Sequence, residues 1–258
     1  MIFAPFSFLN QATIPSEIAS GSLFYVNGAI INSYPGSGST WFDISGNNRN
    51  VSLVGGVVAS GSNSLDFSGG EYGFIPTASA LDVLSATSSF SIITVFYSDV
   101  TPSGVSQVFT KNQLTPNYMG WAIGYNTFTG GSEGRFGFDF LGETAGAQKR
   151  INVEFSSSSS FGLPSRWSHF GVTYNGNANA SGIKFYINGI SSSAAIQYNS
   201  NNFTTAVNPK TTQEVVVAGR AGNQTLDGRI GALLFYDRLL SSNEMLGIYN
   251  YLSSSFTN

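Results

Sequence analysis

The 258-residue chain contains no cysteine, one histidine and few charged residues. Without cysteine it can form no disulfide, no thiolate zinc site and no cysteine nucleophile. The single imidazole, at His169, cannot supply a metal site built from several histidines. Only 10% of the residues are charged, against about 25% in a typical soluble domain. With a net charge of −3 and no basic run, neither nucleic acid nor an anionic membrane surface is expected as a partner.

Long apolar segments are also missing. No run approaches the roughly 18 residues of a membrane span. The first 20 residues, MIFAPFSFLNQATIPSEIAS, have no basic region and are interrupted by Pro5 and Pro15, so they are a poor match to a secretory signal. We therefore expect a soluble protein whose stability comes from packing alone.

Aromatic residues are abundant, with 21 phenylalanines and 12 tyrosines, and they recur in short alternating segments typical of strands. In HFGVTYNG, residues Phe170, Val172 and Tyr174 fall on one face, and the following GIKFYINGI repeats the pattern before an Asn-Gly turn. These two segments are predicted to be antiparallel neighbours. Further strands are predicted at 90–98, 120–126, 134–142, 150–155, 214–220 and 228–238.

One helix is predicted near the end of the chain, in SSNEMLGIYNYLSSS. Ser241 is its expected N-cap, with Glu244 three residues later as in a capping box. Met245, Ile248, Tyr249 and Leu252 form a single apolar stripe along it.

Four segments, taken in order, resemble the laminin-G-like or concanavalin-A-like jelly-roll family, above all the modules found in bacteriophage and virus structural proteins. The resemblance implies an all-β fold, a two-sheet antiparallel jelly-roll sandwich of about a dozen strands, spanning residues 22–258 after an N-terminal arm of residues 1–21. Many relatives hold ligands at the loops or on the concave sheet. The segments are SYPGSGSTWFDISGNNRNVSL, SLDFSGGEYGFIP, RWSHFGVTYNGNANASGIKFYINGI and LDGRIGALLFYDRLLSSNEMLGIYNYL.

Glycosidases of this fold use two carboxylates on one strand, two or four residues apart. Here Glu133, Glu143 and Glu154 stand singly, and Asp139 has no acidic neighbour at either spacing. We therefore predict a protein that is not an enzyme and has no catalytic residues. His169 alternates with the core-facing positions, so it is expected to be a surface histidine with a hydrogen bond.

Calcium is the one cofactor that this fold often binds, through oxygen ligands. Asp43, Asn47 and Glu71 are the metal candidates, with Asn50 beside them, but Gly231 stands where some relatives carry an acid. The alternative is structural: Asp43 closes an Asx turn while Trp41 covers an edge of the core. We expect at most weak dependence on calcium and no other cofactor.

A glycan site would need exposed aromatic rings on the concave sheet or at loop tips. The alternative for each ring is a place in the core, which is the commoner fate of a strand aromatic. The candidates for glycan contact are Tyr118, Trp121, Tyr125, Phe128 and Tyr198.

The N-terminal arm carries Phe3, Phe6, Phe8 and Leu9 without a strand pattern, so it is predicted to dock on a partner, either another virion subunit or a second copy. Its alternative is to fold back over its own sheet. The leading hypothesis for the chain is a virion structural or surface protein that can also contact a host glycan. The alternative hypothesis is a free-standing, extracellular lectin of a cell. The third hypothesis is a glucan-cleaving enzyme.

Overall fold

The computed structural model describes residues 15, 18, 21–61, 63–68, 70–76, 80–83, 85–100, 104–113, 119–125, 135–155, 165–192, 196–219 and 225–256, with 113 and 196–200 described by their backbone alone. In this part of the chain, seventeen strands and one terminal α-helix alternate with turns. No helix among these residues is long and apolar enough to cross a membrane.

The strands and the helix have the following bounds. They are β1 (Ser22–Asn27), β2 (Thr40–Trp41), β3 (Val51–Val54), β4 (Val58–Ser60), β5 (Ser64–Asp66), β6 (Tyr72–Ile75), β7 (Phe90–Ser98), β8 (Ser106–Gln113), β9 (Met119–Tyr125), β10 (Phe136–Thr144), β11 (Ala147–Phe155), β12 (Trp167–Tyr174), β13 (Ile183–Ile187), β14 (Ile190–Ser192), β15 (Ile196–Asn201), β16 (Val215–Val217), β17 (Gly228–Tyr236) and helix α1 (Ser242–Ser253).

Two antiparallel sheets are formed. The nine-stranded sheet has the order β15-β11-β10-β9-β8-β16-β6-β3-β2, and the eight-stranded sheet has the order β14-β13-β12-β7-β17-β5-β4, with β1 also paired to β17. The predicted all-β sandwich with a short C-terminal helix is thus confirmed. The first strand begins at Ser22.

The main core lies between the sheets and is built largely of aromatic rings. Phe170, Val172 and Tyr174 all face it, as the alternation predicts, and Phe185 of the neighbouring strand joins them. Side chains of a strand alternate between its two faces, so the residues between these positions point outward from the sandwich.

A second apolar cluster covers part of the outer face of the eight-stranded sheet. Helix α1, which begins with the predicted capping box of Ser241 and Glu244, packs Met245, Ile248 and Leu252 against this face. Two glycines permit the close approach. A Cβ at Gly171 would overlap the Met245 methyl group, and one at Gly231 would overlap the ring of Phe256.

The segment before β1 contributes to the same cluster. Ile18 is buried there, 1% exposed, and its carbonyl accepts a hydrogen bond from the Tyr236 hydroxyl at 3.1 Å. The predicted docking residues Phe3, Phe6, Phe8 and Leu9 lie outside the described residues. The arm is therefore anchored to its own domain at Ile18, and the docking hypothesis concerns only what precedes it.

His169 does point away from the main core, but the expectation of a hydrogen-bonded surface histidine is wrong. Helix α1 covers it, leaving the residue 6% exposed, with the Tyr249 ring edge-on at 5.0 Å. Neither ring nitrogen has a hydrogen-bond partner of normal geometry among the described residues. Burial lowers the pKa of His169 to about 4, and the nearby backbone of Phe256 opposes part of this effect.

Stability should therefore fall as the pH is lowered from 7 to 4. The unfolded chain takes up a proton on His169 near pH 6.5, whereas the folded chain does so only near pH 4. Between these values the unfolded state binds more protons, so acid favours it by up to about 3 kcal/mol. Urea unfolding of the wild type and of His169→Leu at pH 7, 5.5 and 4 measures this. As the pH is lowered, the wild type should lose more free energy of unfolding than His169→Leu does. Equal losses in the two proteins would contradict a buried, neutral His169.

Candidate functional site

The outer face of the nine-stranded sheet carries one continuous row of residues, which can be traced by strand register. Its middle members lie directly opposite one another on neighbouring strands, and consecutive strands are about 4.8 Å apart. From edge to edge the row is Thr40, Ser52, Phe74, Val216, Thr110, Ala122, Asp139, Asn152 and Ser200.

The β9 to β11 half of this face is polar and buried. Asp139, Asn152 and Glu154 are 3%, 0% and 0% exposed. Arg150 forms a two-point ion pair with Asp139, in which Nε donates to Oδ1 at 2.6 Å and Nη2 donates to Oδ2. Beside them β9 presents only Gly120, Ala122 and Gly124 on this face, because its larger residues point into the core.

Two of the acids that stand alone in the sequence come together here. Asp139 lies opposite Asn152, and Glu154 is two residues further along the same strand, so the two carboxylate residues are diagonal neighbours, about 7–8 Å apart. Spacing within one strand could not reveal this pair, since it depends on the register between β10 and β11. Glu143 lies near the end of β10 and is half buried, and Glu133 is outside the described residues.

The β6 half of the same face is aromatic and half exposed. Tyr72 and Phe74 point outward, with ring centroids 6.3 Å apart and planes inclined by 35°. Gly73 and Ile75 between and after them face the core, where a Cβ at Gly73 would overlap Val51. This pair was not among the predicted site residues, although the alternation in EYGFIP is a signal that indicates it.

Two of the predicted glycan contacts are corrected by the structure. Trp121 and Tyr125 are both fully buried in the main core. The Trp121 ring meets Phe109 edge-on at 4.9 Å and donates from Nε1 to the Leu81 carbonyl at 3.2 Å. Burial raises the pKa of Tyr125. Neither ring can stack on a sugar, because both occupy inward positions of β9.

Three further glycan candidates were named from the sequence. Tyr118 and Phe128 lie outside the described residues. Tyr198 belongs to β15, where its backbone lies opposite Val153. These positions stay predictions.

The calcium candidates do not converge on one point. Asp43 accepts hydrogen bonds from the backbone N–H groups of Tyr25, Ser45 and Arg49 at 2.9–3.0 Å. Both of its carboxylate oxygens are thereby engaged in holding the loop to β1. The bond to Ser45, two residues on, is the predicted Asx turn, and Trp41 beside it is fully buried as expected.

The other members of the set are also used by the loop or lie far from it. Asn50 accepts from the Asp43 N–H at 2.9 Å, and Asn47 donates to the Ser22 carbonyl at 3.2 Å. Glu71 lies beside Gly55, past the far end of β3 from Asp43. Among the described residues no three His, Cys, Asp or Glu side chains are grouped as a metal would require.

Two packed antiparallel sheets with a terminal helix across one outer face define a jelly-roll sandwich of the concanavalin A type. The Laminin_G_3 profile, described as the concanavalin A-like lectin/glucanases superfamily, matches residues 67–245. The chain belongs to this family. No curated protein sequence matches it.

Solved structures share the fold at low sequence identity. The binding domain of Paraclostridial Mosquitocidal Protein 1 has a TM-score of 0.60 and 17% identity over 91% of this chain and 53% of its own. The binding domain of Botulinum Neurotoxin DC in complex with SialylT has a TM-score of 0.58 and 16% identity, over 92% of this chain and 52% of its own. Trypanosoma rangeli sialidase in complex with sialic acid has a TM-score of 0.60 and 14% identity, over 92% of this chain and 34% of its own. The chain thus spans about half of the two binding domains and a third of the sialidase.

Replacing Asp43 should weaken the fold whether or not calcium is present. Asp43→Ala leaves three backbone N–H groups without their acceptor, which is expected to lower the free energy of unfolding by about 2–4 kcal/mol. Asp43→Asn keeps one oxygen and is expected to lose less. Chemical denaturation of the three proteins, each with calcium and with EDTA, tests this. A wild-type melting temperature that fell by more than about 10 °C in EDTA would show instead that an ion holds this loop.

Proposed function

We propose that this chain is a non-catalytic carbohydrate-binding module. The observation that carries the proposal is the half-exposed pair Tyr72 and Phe74 on the outer face of the nine-stranded sheet. A planar ring can stack on the apolar C–H face of a sugar, and such rings are the usual anchors of ligand sites.

Groups suited to sugar hydroxyls lie next to this pair. Ser52 is directly opposite Phe74, and Thr40 is opposite Ser52 on the edge strand. Both are half buried, so each hydroxyl remains within reach of a ligand and can donate or accept one hydrogen bond. The combination of rings and hydroxyls on one sheet face favours a neutral, hydroxyl-rich ligand.

The acids of the same sheet support binding without hydrolysis. Glycoside cleavage needs one carboxylate to act as an acid and another to act as a base or nucleophile at the scissile bond. Asp139 has both oxygens in its ion pair with Arg150, and Glu154 is fully buried. In this arrangement Asp139 stabilises the sheet through its ion pair, and the buried Glu154 is not exposed to a substrate.

The structural relatives agree with a glycan as the ligand class. Two are binding domains, one of them in complex with SialylT, and a sialidase is in complex with sialic acid. Since these relatives share only the fold at 14–17% identity, they support the class and not the particular sugar.

For the setting of this module we propose the surface of a virion. The sequence segments resemble those of virus and bacteriophage structural modules, and a chain with only 10% charged residues suits the dense packing of copies. The apolar side chains of the arm are proposed to dock on a neighbouring subunit. A free-standing lectin with the same glycan site is the alternative.

Glycan binding should depend on the two outward rings. Tyr72→Ala and Phe74→Ala are each expected to weaken binding of the best ligand from a glycan array about five- to thirtyfold, as the loss of 1–2 kcal/mol implies. Leu246→Ala is the matched control, because Leu246 is an exposed apolar residue of α1 on the other layer.

Calorimetry on proteins with unchanged melting curves measures these affinities, and chromatography of the recovered ligand should find it uncleaved. Unchanged binding in both ring variants would reject the site. Hydrolysis that disappears in Glu154→Gln would reject the non-catalytic assignment.

The arm can be tested separately from the sandwich. Deleting residues 1–14 keeps Ile18 and its contact with Tyr236, so the melting temperature should change little while assembly into the particle or oligomer is lost. Light scattering and electron microscopy measure assembly. Ile18→Ala is the comparison variant in which the anchor itself is lost, and its free energy of unfolding should fall by about 2–5 kcal/mol. Normal assembly of the truncated chain would rule out the docking role.

A further inference from the structure

A row of polar and aromatic residues lies on the outer face of the eight-stranded sheet, outside the area that α1 covers. Asp66 is directly opposite Arg229, Arg229 is opposite Tyr97, and Tyr97 is opposite Trp167. We call these four residues the Arg229 strip. The strip crosses β5, β17, β7 and β12 and ends against Phe256, whose ring centroid is 5.1 Å from that of Trp167.

Arg229 is held by rings and has little hydrogen bonding. Its guanidinium carbon lies 3.8 Å from the Tyr97 ring centroid and 5.9 Å from that of Trp167. Its one hydrogen bond among the described residues is a long contact of 3.4 Å from Nη2 to Asp99. Since a guanidinium has five N–H donors and this side chain is 27% exposed, most of its donors remain for a ligand.

Two other arginines show the contrast. Arg150 is fixed by the two-point pair with Asp139. Arg238 also lies over a tyrosine ring, that of Tyr236 at 5.6 Å, but its Nη1 donates to Glu244 at 2.7 Å. Arg229 therefore has the ring support of Arg238, but its ion pair, with Asp99 at 3.4 Å, is longer than the 2.7 Å contact between Arg238 and Glu244.

The acids beside the strip limit the kind of ligand. Asp66 has a buried Oδ1 with no hydrogen-bond partner among the described residues, and the Asp99 side chain is 41% exposed. Two carboxylates next to Arg229 disfavour a compact inorganic anion, which brings charge and no donors. A ligand that brings hydroxyl groups as well as one carboxylate satisfies both kinds of group.

We propose that the Arg229 strip binds a sugar ring that carries a carboxylate. The planar guanidinium matches a carboxylate in a two-point contact, the half-exposed Trp167 ring offers a stacking surface, and Asp99 accepts from hydroxyls. This site lies on the opposite sheet from Tyr72 and Phe74, so it goes beyond the proposed function and stands or falls independently of it.

The test compares the full chain with 3′-sialyllactose, glucuronic acid, lactose and sodium sulfate, by saturation-transfer NMR and calorimetry. At least one of the two carboxylate-bearing sugars should bind about tenfold more tightly than lactose, and sulfate should not compete. Arg229→Gln should abolish that preference, and Arg229→Lys, which keeps the charge but loses the planar fork, should reduce it. Arg238→Gln is the matched control and should leave it unchanged.

Several results would overturn the proposal. Equal binding of acidic and neutral sugars would remove the role of Arg229, and competition by sulfate at equal concentration would mean a simple anion site. Loss of the acidic ligand in Tyr72→Ala, with Arg229→Gln unaffected, would place that ligand on the other sheet. If Arg229→Gln does not fold, the Arg229→Lys result decides between these outcomes.

Discussion

The two sheets are joined by a cluster of aromatic rings centred on Phe90 of β7. Its ring lies 5.4–5.7 Å from Phe138 and Phe140 of the nine-stranded sheet, and 5.3–6.3 Å from Tyr174 and Phe235 of its own sheet. Such contacts fix which face of each strand is inward, because side chains alternate strictly between faces. A shift of one residue in β10, for example, would turn Phe138 and Phe140 outward and bring Asp139 into the core.

The outer faces follow from this constraint, and the two sheets use them differently. The eight-stranded sheet is apolar on both sides over β7 and β17, so it requires a cover, which α1 and Ile18 provide. The nine-stranded sheet has its buried ion pair and its half-exposed rings outside. The surfaces left for recognition are therefore those that neither the helix nor the second sheet occupies.

Much of this arrangement could be predicted from the sequence, because it depends on local periodicity. The strand at 90–98, the inward face of β12 and the capped helix were all found from spacing alone. What could not be found depends on register and on which faces are covered. The buried state of His169, the inward position of Trp121 and the proximity of Asp139 to Glu154 all depend on partners distant in sequence. Alternation with a period of two predicts which face of a strand a residue occupies, but not which residue lies opposite it on the neighbouring strand or what covers that face.

The arginines illustrate how context decides the role of one residue type. Arg150 and Arg229 both occupy outward strand positions, and neither differs from the other in local sequence pattern. Arg150 lies diagonally across from Asp139, and their two-point ion pair neutralises the guanidinium charge within the sheet. Arg229 instead has a tyrosine on one side and an aspartate on the other. Its guanidinium is oriented by the Tyr97 ring and makes one long ion pair, at 3.4 Å, with the exposed Asp99. Cation–π support leaves the hydrogen-bonding edge of the group open, which is the physical difference between an arginine that stabilises a sheet and one that can recognise a ligand.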